Sequence, residues 1–376
     1  MTQEHPQPAD PEKARQYERM QHTLFAVKII AGAALLAAYQ LSGMSETLAA
    51  GLRLRFGAWP VVNGAYILIS VFGMAAILFP LSYYGDFVLE HQFGMSRQRF
   101  SSWMTDYLKS LAIDLVFALV FFEILYALLR WTPELWWVWA TAVYVAFSVV
   151  LTAVAPALIL PLFYKYEPLD RPELNRKIEA MMAAEGLDVI GVYTWGLAEK
   201  TRAANAALAG LGRSRRIILG DTLLEHYDED EILAILAHEL GHYRGRDTTR
   251  LIAAGTVLAA AGFYLADLAL SYLLEQLAIG AVYDIAGLPV LLFCLLLFSV
   301  VSMPLSNAYS RKREFAADAF AARRTENGEA LARALDKLAD QNLADREPPR
   351  WIEFLLHSHP SIGRRIAAIR PPDARN

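Results

Sequence analysis

Six long apolar stretches, near residues 24–41, 61–84, 108–129, 136–163, 251–274 and 285–307, limit what this chain can fold into more than any other feature. The hydrocarbon core of a bilayer is about 30 Å thick, so a helix rising about 1.5 Å per residue crosses it in roughly 20 apolar residues. Each stretch meets or approaches that length, and the expected fold class is a mainly α, polytopic integral membrane protein with six transmembrane helices. Pro156 and Pro161 in the fourth stretch predict a kink or a short seventh span. The first stretch follows a polar arm without a small-residue cleavage site, so it reads as a retained span and not a signal peptide.

Composition agrees and removes other classes. With 55% hydrophobic and 20% charged residues and a mean hydropathy of +0.28, the chain fits neither a soluble globule nor a disordered segment. Its 35 Lys and Arg against 39 Asp and Glu give a net charge of -4, which argues against a nucleic-acid partner. Cys294 is the single cysteine, so a bound metal must be held by histidines and carboxylates.

Lys13, Arg15 and Arg19 in the N-terminal arm, Arg97 and Arg99 after the second stretch, and Arg311, Lys312 and Arg313 after the sixth define one positive side. The positive-inside rule then puts both termini and the hydrophilic blocks in the cytosol, and the richness in Ala, Leu and Arg points to a bacterial inner membrane. Arg53 and Arg55, in the loop assigned to the outer side, run against this. The expected divisions are a polar arm at 1–22, four spans at 23–163, a catalytic block at 164–250, two spans at 251–310 and C-terminal catalytic helices at 311–376. Short strands are predicted at 188–195, 203–209 and 216–219, and helices at 329–342 and after Pro360.

The chemistry-bearing motif lies in the first hydrophilic block. Asp228 and Glu231 form a capping-box pattern, and Ile232, Leu233, Leu236 and Leu240 continue at helical spacing. On that helix His238 and His242 are one turn apart and share a face, with Glu239 beside them, giving H-E-x-x-H. Chance alone produces this pattern in roughly one chain in a hundred of this length, so context matters. Burying two imidazoles and a carboxylate on a Leu- and Ile-rich helix without partners is costly, and a metal ion relieves that cost. Zinc needs a third protein ligand and an open position for water. Glu314 and Asp318, four apart after the sixth stretch, can supply one ligand and one carboxylate that orients a ligating imidazole.

His238-Glu239-x-x-His242, a pair of spans, Glu314-x-x-x-Asp318, and His359-Pro360 with Arg365 together resemble the type I CAAX prenyl endopeptidases, integral-membrane zinc proteases. Glu90 to Gly94 (EHQFG), Ala204-Asn205-Ala206 and the stretch from Arg216 through Asp221 extend the resemblance over most of the chain. The resemblance implies one zinc ion per chain on His238, His242 and Glu314, in a small α/β gluzincin-like domain on the cytosolic side. It also implies Glu239 as general base, with Asn205 and His359 stabilising the oxyanion. Asp318 would orient His238, and Arg365 would support the site or a substrate carboxylate. A peptide or protein substrate, lipidated or membrane-associated, would dock on the strand bearing Asn205 and Ala206. His357 has no implied role and reads as structural or solvated.

Lys28, Asn63, Asp114, Glu123 and Asp267 lie in or near the spans. Exposing a charge to lipid costs about 2.5 kcal/mol or more, so these residues predict a hydrated chamber among the helices or interhelical pairing. Trp131, Trp136, Trp137 and Trp139 read as an interfacial belt. The expected function is a membrane-embedded zinc endopeptidase in which Glu239 activates water. The competing readings are an HtpX-type quality-control protease, a transporter with a regulatory metal, and a scaffold with a structural zinc.

Overall fold

The computed structural model describes residues 10–370 except 211, 213 and 214; the start of the polar arm expected at 1–22 and residues 371–376 lie outside the described residues. Among the described residues six helical segments have the length and apolarity to cross a membrane: Pro11–Leu41, Trp59–Gln92, Phe100–Trp131, Trp136–Leu162, Asp247–Gln276 and Ile285–Thr325. Helix α1 (Pro11–Leu41) starts where the Asp10 carboxylate accepts the Glu12 N–H and Pro11 occupies the first turn. It runs unbroken from residue 11 of the polar arm through the first span. The 12 residues of α2 (Met44–Arg55) are too few to cross. Helix α3 (Trp59–Tyr83) continues through a π-helical stretch into α4 (Glu90–Gln92), followed by α5 (Phe100–Trp131) and α6 (Trp136–Val154). Pro156 opens a π-helical turn at Ala155–Ile159, and Leu160–Leu162 follows as a 3-10 turn. The prolines therefore distort the end of the fourth crossing, because each lacks the N–H that an α-helical ladder needs, and they create no seventh.

At one end of the bundle, α2 is tied to the last crossing. Ser45 Oγ lies 2.6 Å from the Tyr66 hydroxyl and donates to the Ala286 carbonyl at 2.6 Å. Arg53, which ran against the charge rule, hydrogen-bonds Asp284 on the same side. Trp131 and Trp139 are exposed as a belt requires, but Trp136 is fully buried and its indole N–H donates to Asp267 at 2.6 Å. It is a packing residue and not part of the belt. Lys28 pairs with Asp86 at 3.1 Å. Asp114 is exposed within its crossing.

At the other end sits the α/β unit. Four strands, β1 (Tyr166–Pro168), β2 (Val192–Trp195), β3 (Ala206–Ala209) and β4 (Arg216–Gly220), form a sheet of order β1-β2-β4-β3. The β2 and β4 strands are parallel, and β1 and β3 lie antiparallel at the two edges. Strand β1 escapes the sequence pattern because Glu167 and Pro168 give it no alternation. The strand expected at 203–209 begins only at Ala206: side chains replace a neighbouring strand upstream, with the Ala204 N–H donating to Asn342 Oδ1 at 3.1 Å and the Thr222 hydroxyl to the Ala203 carbonyl at 2.8 Å.

Helices α7 (Pro172–Ala184), α8 (Asp221–His226) and α9 (Glu229–Arg244) pack with the sheet around Ile178, Ile217, Leu219, Leu223, Ile232 and Leu236. Helices α10 (Asp247–Gln276) and α11 (Leu288–Thr325) are the last crossings. Helices α12 (Gly328–Gln341), α13 (Arg350–Leu356) and α14 (Ile362–Ile369) follow, and Leu331 and Leu335 of α12 pack against Ala234 and Ala237 of α9. The loop between the second and third crossings joins this end: Arg97 N–H donates to the Lys200 carbonyl at 3.0 Å, and Ser96 bridges Thr201.

Candidate metal centre

Helix α9 carries the H-E-x-x-H motif and is held from both ends of its sequence. The capping box is complete: Glu231 N–H donates to Asp228 Oδ1 at 2.8 Å and Asp228 N–H to Glu231 Oε2 at 3.0 Å. Glu231 is buried and receives the Lys337 ammonium at 2.7 Å, which locks α9 to α12. Ile232, Leu236 and Leu240 face the sheet, while Gly241 faces α11. A Cβ at Gly241 would lie 3.0 Å from Ala317 Cα, so the missing side chain is what lets the two helices approach. That approach carries Glu314 of α11 to the histidines.

His238 Nε2 and His242 Nε2 are 3.1 Å apart. Glu314 closes the triangle, with Oε2 at 3.5 Å from His238 Nε2 and Oε1 at 3.2 Å from His242 Nε2. Donor atoms on a tetrahedron with bonds of about 2.0–2.1 Å are spaced by about 3.3 Å, so the three groups fit a zinc-sized ion. Buried Glu314 Oε2 accepts no hydrogen bond, an orphaned anionic oxygen that a cation satisfies. Among the described residues these three offer donor atoms that all lie within 4.8 Å of one another.

An outer layer of carboxylates fixes the imidazoles. Asp318 Oδ1 lies 2.8 Å from His238 Nδ1, and the Arg365 guanidinium grips both Asp318 oxygens at 2.7 and 2.8 Å. Arg365 also lies 3.6 Å from Glu314 Oε2. On the other side Asp247 Oδ2 lies 2.9 Å from His242 Nδ1 and its second oxygen accepts Arg313 at 2.6 Å. Asp247 and Arg313 were missed in the sequence. The signal was a carboxylate five residues after His242, past the Gly245 turn, which spacing alone does not mark.

Burial pulls the His238 pKa down, yet the Asp318 and Glu314 carboxylates outweigh it and hold it at about 9. His242 is raised in the same way: Glu314 and Asp247 overcome its burial and the neighbouring imidazole. Such a field favours a cation. Burial pushes the Glu239 carboxyl above the usual carboxylate range, against the partial pull of the two histidines.

These groups line a cleft of about 650 Å³ with Asn205, Ala206 and His359. His359 stands in the segment between α13 and α14, largely exposed, with Nε2 3.4 Å from Glu314 Oε1. Asn205 directly precedes β3, and its carbonyl accepts the Gly220 N–H at 2.9 Å. Among the described residues strand β3 pairs only with β4, so its outer edge is free of a strand partner beside the cleft. His357 points elsewhere, with Nε2 3.1 Å from His22 Nε2 of α1.

Residues 168–373 match peptidase family M48, and residues 2–165 match the CAAX prenyl protease N-terminal family, described as five membrane helices. Over that second range this chain has four crossings and the short α2. An uncharacterized metalloprotease of Bacillus subtilis, YhfN, is 30% identical over 96% of this chain and 85% of its own length. CAAX prenyl protease 1 of Saccharomyces cerevisiae is 28% identical over 77% of this chain and 68% of its own. The crystal structure of S. mikatae Ste24p superposes with a TM-score of 0.84 at 23% identity, covering 96% of this chain and 88% of that one.

Proposed function

Since the chain belongs to peptidase family M48 and is a multi-pass membrane metalloprotease, we propose that it works with one zinc ion held by His238, His242 and Glu314, with Glu239 as general base. The observation carrying this reading is the convergence of these three donors from two helices beside Glu239 and a free strand edge.

When bound, zinc acts as a Lewis acid that makes water more acidic and polarises the scissile carbonyl. The rest falls to the chain. Asp318 and Asp247 accept hydrogen bonds from the Nδ1–H groups of the two histidines, so both Nε2 lone pairs face inward. Glu239, with its raised pKa, accepts a proton from the attacking water and returns it to the leaving amine. Asn205 and His359 donate toward the developing oxyanion, each worth about 2.7–4 kcal/mol by analogy with such donors elsewhere. Arg365 neutralises Asp318 and steadies Glu314. An extended peptide adds to the free edge of β3 near Ala206, where backbone hydrogen bonds give sequence-tolerant binding.

The substrates proposed are CAAX-type or other membrane-associated peptides and proteins, cut near the cytosolic face of a bacterial inner membrane. The reading includes a hydrated chamber among the helices, since an Asp114 carboxylate set against lipid would cost about 2.5 kcal/mol or more. A transporter with a regulatory metal is not favoured, as it gives Glu314, Asp318 and His359 no task.

The test is Glu239→Gln in purified protein. Metal content should be unchanged while peptide cleavage falls about 10²–10⁴-fold or more. Cleavage at the wild-type rate would overturn the assignment of the base.

A further inference from the structure

A second cluster has the same chemistry at a different place. Glu18 and His22 sit one turn apart on α1, so their side chains share a face, as His238 and His242 do on α9. The segment after α13 brings His357 against them, and each of the three offers a donor atom within 4.8 Å of the others. We propose that Glu18, His22 and His357 form a second divalent-metal site, of the zinc class, that fastens the first crossing to the C-terminal catalytic segment.

Four observations support this. The His22 and His357 Nε2 atoms are 3.1 Å apart, the same spacing as in the candidate catalytic pair and close to the tetrahedral edge of about 3.3 Å. Two imidazolium N–H groups cannot face each other at that distance, so at least one ring is neutral and presents a lone pair. Glu18 Oε1 accepts the Asp345 N–H at 3.0 Å, which aims the carboxylate and leaves its second oxygen available. The His357 carbonyl accepts Arg311 Nη1 at 2.6 Å, so the backbone bearing the third donor is anchored to α11. All three side chains are half-buried, and Glu18 and His22 line a cavity of about 800 Å³, which gives an ion a route in and water a place to complete its coordination.

Two imidazoles and one carboxylate suit zinc and its neighbours in the affinity series and disfavour calcium or magnesium, which take oxygen ligands. The consequence is local. His357 is two residues from His359, so an ion here would restrain the segment that presents His359 to the cleft.

The experiment counts metal. Tag-free, detergent-solubilised full-length chain is stripped, loaded with Zn²⁺ or Co²⁺, freed of excess ion and assayed for metal per chain. Wild type should hold two equivalents, and His22→Ala and His357→Ala one each with the catalytic equivalent retained. A His238→Ala/His242→Ala chain should hold one, lost again when His22→Ala is added. One equivalent in both wild type and His22→Ala would mean the pair is only hydrogen-bonded, and the proposal fails. It also fails if a second equivalent survives both His22→Ala and His357→Ala, because that ion would bind elsewhere. The catalytic assignment is read separately: its failure leaves His238→Ala/His242→Ala with the same metal content as wild type.

Discussion

The two histidine–carboxylate clusters share a pattern and differ in what surrounds it. Each takes two side chains from one helical turn and a third from a distant segment, and in each the imidazole nitrogens stand 3.1 Å apart. Around His238 and His242 the protein adds Asp318 and Asp247, each fixed in turn by an arginine, and buries Glu314 and Asp318 almost completely. Around the second cluster the supports are the Asp345 N–H, which donates to Glu18, and the Arg311 guanidinium, which donates to the His357 carbonyl, and the residues stay half-buried. Carboxylates behind an imidazole fix its tautomer and make it a better ligand. The first cluster is thus preorganised as a reaction centre requires, while the second suits a clamp, where geometry can relax around the ion.

The largest expected effect separates the clusters outright. Glu314→Gln should empty the first centre and bring peptide cleavage to background, while Glu18→Gln should leave most cleavage intact; equal losses would erase the distinction. Asp318→Asn and Asp247→Asn should each weaken zinc binding about 10–100-fold, read by competition with a chelator, whereas among the described residues no carboxylate is hydrogen-bonded behind His22 or His357. The smallest effect is in pH dependence. Glu239 acts as a base only when ionised, and burial raises its pKa, so kcat/KM should fall as pH drops through a value above the ordinary carboxylate range. An acid limb at the ordinary glutamate value would show that the cleft is wetter than its burial implies.

The same contrast marks how far the chain could be read in advance. The spans were legible because crossing a bilayer imposes a length and composition that nothing else in the chain needs, and the motif helix because its cap and periodicity are local. Arg53, which ran against the charge rule, has its partner in Asp284, a contact that the sequence did not reveal. Trp136 was misread because a tryptophan near a span end looks the same in sequence whether it faces headgroups or donates to Asp267. His357 was passed over because its partner is a residue of the first crossing, more than three hundred positions earlier.

The sequence by itself determined the membrane architecture and the candidate donors, since hydropathy, helical spacing and ligand chemistry are properties of neighbouring residues. Tertiary structure alone decided that Gly241 against Ala317 brings α11 close enough for Glu314 to reach α9. It also decided that Asp247 stands behind His242, that β3 keeps a free edge, and that α1 meets the chain's last helices through three side chains. Those contacts join segments far apart along the chain, where distance is set by packing and not by spacing.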